Sequence, residues 1–571
     1  MDNFAQAVIN TSGIILPILA FWLLARCVRS MLSEKYEPEI WAYLEAKGGE
    51  TAAIRHWECI IGRAKACDIV IKRDNVSRTQ AALIRSDKGK WKFYNLDFSN
   101  EATCGGAEDE GKGVWVNDGD EICLGGTVMK FRDLDEEQRA AVDKGRAAPG
   151  RRIMPSFTLL ILTVFQALLA LQFTVSADRE HVPMIALGFA AIMLLQWSFY
   201  SIMRALDRTG FEVETLAFFL SSLGMAVCAT STPEDVLKQL ILLIAGMVFF
   251  IFLGWWLRDL GRVRVTRWLV GAAGLGFLAL NLLAGETQYG AQNWLTIGGF
   301  SLQPSEFVKI AYIYTGAATL DRLFRGRNLF MFIAFSAINV GALALMGDFG
   351  TAVIFFCTFL VISFMRSGSF ATVFLAVAGA ALAGVLVLTV KPYIAQRFAA
   401  WGHIWEDPYG AGWQQTRGLS AAASGGLFGV GAGKGWLKDI FAADTDMVFC
   451  VLCEELGLII ALCAMLAIII LALFTVRNAA QGRSSFFVIA ACAATSMMMV
   501  QLALNVFGCT DILPFTGVTF PFVSKGGSSL ISCWALLAFI KAGDTRHGAS
   551  FSVKLSSRAI AQSYGEEDDD E

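Results

Sequence analysis

Phe441-Ala442-Ala443-Asp444-Thr445-Asp446-Met447-Val448-Phe449 joins the end of a polar loop, residues 391–446, to an apolar run that continues to residue 475. A run of that length crosses a bilayer, because the hydrocarbon core takes about 20 helical residues at a 1.5 Å rise. Asp446 therefore stands at a membrane surface, either as a cap for the coming helix or as a working group. Asp444 and Thr445 would cap equally well, which leaves one of the acids spare.

Twelve further runs share this character: 8–27, 154–175, 183–203, 212–230, 235–257, 266–285, 303–320, 329–346, 349–366, 369–390, 484–507 and 519–541. Only Gly347 and Asp348 divide the pair at 329–366. The chain reads as a multi-span α-helical membrane protein of about 13 transmembrane helices, and its 55% hydrophobic and 17% charged residues exclude a soluble enzyme. Lys and Arg favour cytoplasmic loops, and every second loop is basic, from Arg26 and Arg29 to Lys541 and Arg546. That pattern predicts an N-terminus outside, a cytoplasmic region 30–150, an outer loop 391–446 and a cytoplasmic C-terminus. The first segment, 1–30, lacks a basic leader and a small-residue cleavage site and reads as a retained anchor. Most of the 13 cysteines fall in spans or in the cytoplasmic region, which suits packing better than disulfides.

Residues 31–150 change character. Short β-type segments alternate with turn residues, including Ile60-Ile61-Gly62-Arg63, Asp68-Ile69-Val70-Ile71, Val76-Ser77-Arg78, Trp91–Leu96 and Asp118-Gly119-Asp120-Glu121-Ile122-Cys123-Leu124-Gly125. Their spacing predicts a small all-β sandwich. In this order the motifs resemble the forkhead-associated (FHA) domain, a phosphothreonine-binding module. The resemblance implies phosphate contacts from Arg63, Ser77, Arg78 and Asn100, with arginine supplying a planar fork of donors and serine a hydroxyl. Gln80 stands where the family usually has His, the usual Asn-Gly is missing, and acids lie nearby at Glu108, Asp109 and Glu110. Phosphopeptide binding and phosphate-independent docking both stay open. The acidic tail within 546–571 reads as a solvated, disordered end.

Ionisable residues inside membrane spans are functional candidates. Gln303-Pro304-Ser305-Glu306-Phe307-Val308-Lys309 places Glu306 and Lys309 on one helix face, where they neutralise each other. The same pair could pin two spans together or wall a polar cavity. Pro514–Ser529 is rich in proline, glycine and hydroxyls, which implies broken helix beside a cavity.

Asn293-Trp294-Leu295, the Gln303–Lys309 motif, Asp348-Phe349-Gly350-Thr351, Asp407-Pro408, Gly410-Ala411-Gly412-Trp413-Gln414, Ser424–Gly431, Thr445-Asp446, Glu454-Glu455-Leu456-Gly457 and Gly526-Gly527-Ser528-Ser529 together resemble the SEDS family (shape, elongation, division and sporulation; FtsW/RodA/SpoVE type). The likeness covers about 211–545; the anchor and the two spans within 151–210 are additions. It implies a peptidoglycan glycosyltransferase that polymerises lipid II at the outer face of the bacterial cytoplasmic membrane, with Asp446 at the family's catalytic position. The chemistry is consistent with one carboxylate. A single inversion needs a base for the acceptor hydroxyl and cationic help for the departing diphosphate. Candidates for the substrate and its diphosphate are Arg397, Lys525, Glu306, Lys309, Gln414, Ser528 and Ser529, and a divalent metal (Mg or Mn) would serve the same end. Asn293 replaces a frequent arginine, while Lys525 and Arg417 add cations where the family has Tyr and Gln. Expected partners are lipid II with the growing glycan, a class B penicillin-binding transpeptidase, and a phosphothreonine protein or Ser/Thr kinase; no nucleic acid is expected. The alternative is a lipid II flippase, which needs charge near the membrane centre.

Overall fold

The computed structural model describes residues 2–33, 39–65, 67–86, 89–135, 137–138, 141–142, 153–288, 291–297, 300–320, 326–390, 401–546 and 548–550. A helical bundle carries a β-sandwich at one end and a cavity at the other. The helices are α1 (Asp2–Ser33), α2 (Pro155–Ser176), α3 (Val182–Ala205), α4 (Glu212–Ser231), α5 (Val236–Trp256), α6 (Leu260–Ala284), α7 (Pro304–Leu320), α8 (Gly326–Met346), α9 (Phe349–Ser367), α10 (Phe370–Val390), α11 (Trp413–Gly425), α12 (Val448–Glu455), α13 (Leu458–Ala479), α14 (Ser485–Cys509) and α15 (Gly527–Ala542). Among the described residues ten helices are long and apolar enough to cross a membrane.

Two apolar runs are not continuous helices. The run 447–475 breaks between α12 and α13 at Gly457, whose φ is +91°. A glycine-rich loop lies across the break: Val430 N–H donates to the Glu454 carbonyl (2.8 Å) and Gly431 N–H to that of Glu455 (3.0 Å). A Cβ on Gly457 would stand 2.3 Å from the Leu427 carbonyl oxygen, so only glycine fits the crossing. The run 519–541 becomes helical only at Gly527. The segment before it is irregular, as its prolines and glycines predict. Between α8 and α9, Asp348 caps the second helix through the Thr351 N–H (3.1 Å).

The spans added ahead of the family-like region pack against α4, which is buried from Glu212 to Thr230. Gln166 and Gln196 bond reciprocally through their amides (3.0 and 2.9 Å), and Gln166 also donates to Ser222 of α4 (2.8 Å). These bonds lock α2, α3 and α4 together at about 0.6 kcal/mol each. At the sandwich end, α4 is tied by ion pairs from Lys541 to Glu214 (3.1 Å) and from Arg546 to Glu212 (2.9 Å).

The sandwich contains β1 (Ala42–Ala46), β2 (Thr51–Ile54), β3 (Glu58–Gly62), β4 (Ile69–Val70), β5 (Ala81–Arg85), β6 (Trp91–Asn95), β7 (Ala102–Cys104), β8 (Ala107–Glu108), β9 (Val114–Val116), β10 (Glu121–Leu124) and β11 (Thr127–Asp133). One sheet runs β2-β1-β11-β10-β7-β8 and the other β4-β3-β5-β6-β9. Alternate residues such as Leu83, Trp91, Phe93, Ile122 and Phe131 fill the space between them.

The sandwich is docked on the turn between α13 and α14. Arg483 makes a two-bond pair with Glu39 (3.0 and 3.1 Å), and its carbonyl accepts from the Trp57 N–H (2.7 Å). Glu58 accepts from the Ser484 hydroxyl (3.0 Å) and the Ser485 N–H (2.9 Å), placing a carboxylate on the first turn of α14. Trp57 meets Phe487 edge-on at 6.1 Å. Arg483→Ala leaves Glu39 without this buried partner, a change that costs about 3–5 kcal/mol. Hydrogen exchange is expected to accelerate at Trp57 and Ser485; unchanged protection there would show that this pair does not hold the domain.

Candidate active site

A cavity of about 440 Å³ opens at the end of the bundle remote from the sandwich. One wall is β13 (Ala291–Ile297), the middle strand of a small sheet with β12 (Glu286–Gln288) and β14 (Phe300–Leu302). The others come from α7, the α8–α9 junction, the segment before α12 and the segment before α15. Glu306, Lys309, Asp446, Lys525, Ser528 and Ser529, expected together from sequence, all line it.

Asp446 is held by its backbone. Its N–H donates to Ala442 (2.9 Å), and its carbonyl accepts from Asn505 Nδ2 (3.0 Å) and Cys509 Sγ (3.1 Å) of α14. Gly517, at φ +65°, passes so close that a Cβ there would lie 3.0 Å from Asp446 Oδ2. The capping alternative fails: Met447 is the cap residue of α12, and no side chain accepts there.

Lys309 Nζ pairs with Glu306 Oε1 (2.8 Å) and donates to Gln501 Oε1 (2.9 Å). Gln501 Nε2 donates to Thr519 Oγ1 (2.8 Å), which shares a hydrogen bond with Ser529 Oγ (2.9 Å). One chain of bonds therefore runs from α7 through α14 to the first turn of α15. Ser528 and Ser529 sit in that turn, whose cap residue, Gly526, supplies no side chain. First-turn amides that find no partner among the described residues, together with the helix dipole, suit an anion. Lys525 lies beside them, paired with Asp235 (2.9 Å) and with Asp444 (3.7 Å). A carboxylate, a lysine and a helix N-terminal turn thus share one cavity.

Other expected residues go elsewhere. Gln414 donates to the Phe441 carbonyl (3.1 Å) and is not among the residues lining the cavity. Arg417 donates to the Pro408 carbonyl (2.8 Å) and stacks over Trp413 (4.9 Å), also away from the lining. Arg397 lies outside the described residues. Glu454 accepts from Trp436 and Leu437 N–H groups (both 3.0 Å), and Glu455 from Thr230 (2.6 Å) and Gly433 (3.0 Å), so this acidic pair staples the glycine-rich loop. Sequence reasoning missed Asp235, Gln501 and Asn505. The last two were findable, being polar residues four apart on one face of an apolar span; nothing in the sequence distinguishes Asp235 from an ordinary helix-start acid.

The second candidate site lies at the sandwich end farther from the helices, since β3 begins at the docked Glu58 and ends beside Arg63. Asn100 Nδ2 donates to Ser77 Oγ (2.5 Å). Buried Gln80 accepts from the Ser77 N–H (3.0 Å) and donates to the Asp97 carbonyl (3.0 Å), so it ties the recognition loops together. The Arg78 side chain is exposed, and its carbonyl packs against Gly62. Two carboxylates lie against groups that the FHA resemblance assigned to a phosphate. Asp74 pairs with Arg63 (3.2 Å), while Asp97 accepts from the Ser99 hydroxyl (2.5 Å) and N–H (3.0 Å). The hydroxyls of Ser77 and then Ser99 hold the Asp97 carboxyl below its usual range.

The model of the "Cell cycle protein" family of FtsW, RodA and SpoVE matches residues 213–546, and that of the FHA domain matches 59–125. The chain is similar to "Peptidoglycan glycosyltransferase RodA" of Mycobacterium tuberculosis, 30% identical over 340 residues that cover 56% of this chain and 72% of the relative. It is similar to "Stage V sporulation protein E" of Bacillus subtilis, 34% identical over 259 residues covering 43% and 69%. Among solved structures, a chain of a peptidoglycan synthase complex aligns with a TM-score of 0.49 at 24% identity, covering 59% of this chain and 98% of its own. With a family match spanning more than half its length, the chain belongs to the FtsW/RodA/SpoVE family, and it carries an FHA domain ahead of the family's membrane region.

Proposed function

We propose that the protein is an inverting peptidoglycan glycosyltransferase that polymerises lipid II, with Asp446 taking the proton from the acceptor hydroxyl as the diphosphate leaves. The observation that carries this is the sharing of one cavity by Asp446, Lys525 and the open first turn of α15. The base draws on the acceptor at one point, while a lysine and helix amides steady charge developing on the leaving group. The basic-loop pattern supports a cavity outside the cytoplasmic membrane, with the N-terminus outside and the FHA domain and C-terminus within. A divalent ion, Mg or Mn, enters this reading only with the diphosphate. Among the described residues no three His, Cys, Asp or Glu side chains are placed to hold a metal, and Mg²⁺ needs only one or two carboxylates when phosphates supply other ligands.

Purified protein given labelled lipid II is expected to produce a ladder of glycan strands. Lipid II crossing sealed vesicles with no ladder would favour the flippase. A class B penicillin-binding transpeptidase is the proposed membrane partner, to cross-link the emerging strand.

The FHA domain, in the same proposal, binds a phosphothreonine protein or a Ser/Thr kinase through Arg63, Ser77, Arg78 and Asn100. Asp97 opposes this, since a carboxylate bonded to Ser77 and Ser99 repels an incoming phosphate. Asp97→Asn is expected to raise affinity for a phosphothreonine peptide about tenfold; titration by fluorescence anisotropy showing no gain would remove Asp97 from the recognition site.

A further inference from the structure

Asp235 ends a single 3-10 turn, Pro233–Asp235, between α4 and α5, and it stands at the cap position of α5. An aspartate there ordinarily accepts a hydrogen bond from the first turn of its helix, yet the Asp235 side chain makes no such bond. Its Oδ2 lies instead 2.9 Å from Lys525 Nζ, on the segment before α15. The carboxylate serves a lysine from another part of the chain rather than its own helix.

That lysine lines the cavity, and Asp235 is not among the lining residues. The main chain at Lys525 is fixed without Asp235. Its N–H donates to the Asp444 carbonyl (2.8 Å), and the Ser524 hydroxyl donates to the Thr445 carbonyl (2.6 Å). The segment before α15 is thus stitched to the segment that carries Asp446. These bonds leave the place of the ammonium open, because it rides on a flexible four-carbon stem.

Of its two acid partners Asp235 is the nearer. Asp444 Oδ2 is 3.7 Å away, an ion-pair distance beyond hydrogen-bond reach. An ammonium carries three donors, so a bond to Asp235 leaves it others for a ligand in the cavity. The side chains of Lys525 and Asp235 are 23% and 34% exposed, and pairs this open to water add little to stability. Holding a long side chain in one place before the ligand arrives is the larger contribution open to such a pair.

We infer that Asp235 is a positioning residue: from outside the cavity lining it holds the Lys525 ammonium at the cavity wall, so that the charge is in place as the diphosphate departs. This rests on the polymerase reading and adds to it a residue that acts only through another.

The test is a set of single and double variants of the purified full-length protein, assayed with fluorescent lipid II. Lys525→Met is expected to lower kcat about 10²-fold, the scale of one lost charge-stabilising donor. Asp235→Asn keeps the side chain's shape and is expected to lower kcat about tenfold through a misplaced ammonium, with KM for the lipid and the thermal unfolding temperature nearly constant. Asp235→Glu restores the carboxylate and is expected to recover most of that loss. Asp235→Asn added to Lys525→Met is expected to do no further harm, because in such a cycle a residue that acts through its partner has nothing left to act on. The exchange Asp235→Lys/Lys525→Asp rebuilds the bridge but moves the cation out of the cavity. A bridge that merely stapled two segments would regain activity in this exchange; the positioning role predicts that activity stays lost, and the Asp235→Glu rescue carries the test should the exchanged protein fail to fold. Full activity in Asp235→Asn, a further loss when it is added to Lys525→Met, or recovery in the exchange overturns the positioning role and leaves the polymerase reading standing. An unaltered protein that makes no glycan from lipid II overturns both.

Discussion

Asp446→Asn is expected to reduce glycan polymerisation by about 10²–10⁴-fold, the usual worth of a positioned general base. The substitution keeps the side chain's shape and the backbone bonds. Asparagine has nearly the shape of aspartate, so it fits beside Gly517, and the bonds from Asn505 and Cys509 go to the backbone carbonyl and survive. The loss should therefore appear in kcat, with KM for the lipid nearly constant. Asp444→Asn is the internal comparison: its carboxylate stands 3.7 Å from Lys525, with Asp235 closer at 2.9 Å, so a much smaller effect is expected. Polymerisation of fluorescent lipid II by matched preparations reads both. A retained tenth of the activity in Asp446→Asn would remove the base from the mechanism.

The second large effect is on stability. Lys309→Met leaves Glu306 charged and buried without its ion-pair partner, and breaking a buried pair from one side costs about 3–5 kcal/mol. Gln501 loses a donor as well. The double variant Glu306→Gln/Lys309→Met removes both charges at similar volume and is expected to recover most of the loss, as seen by thermal unfolding in detergent. Its activity should stay low, because the bonded path through Gln501 to Ser529 goes with the pair. A double variant as unstable as the single would show that the charge imbalance was not the cause.

Most of the architecture was legible because hydropathy is a local property. The irregular approach to α15 was legible for the same reason: Pro514, Pro521, Gly526 and Gly527 cannot be hidden in a continuous helix. The break at Gly457 was not, because it depends on a loop some thirty residues earlier bonding to Glu454 and Glu455. Asp446, Glu306 and Lys309 announced themselves as charges in an apolar chain. Gln414 and Arg417 looked equally functional, yet loop carbonyls take their hydrogen bonds, a fate set by tertiary contacts. The two added spans carried no motif at all. Their part emerged only when Gln166, Gln196 and Ser222 met in the bundle.

Helix α14 has its first turn gripped by Glu58 of the sandwich and its last turns on Asp446 through Asn505 and Cys509. Its 25 residues span about 37 Å, and a helix barely shortens under load. Working groups must be held to within about 0.5 Å, so a slip of the sandwich by that amount would arrive at the acid almost in full. One rigid helix thus joins the sandwich's docking point to the cavity that holds the acid.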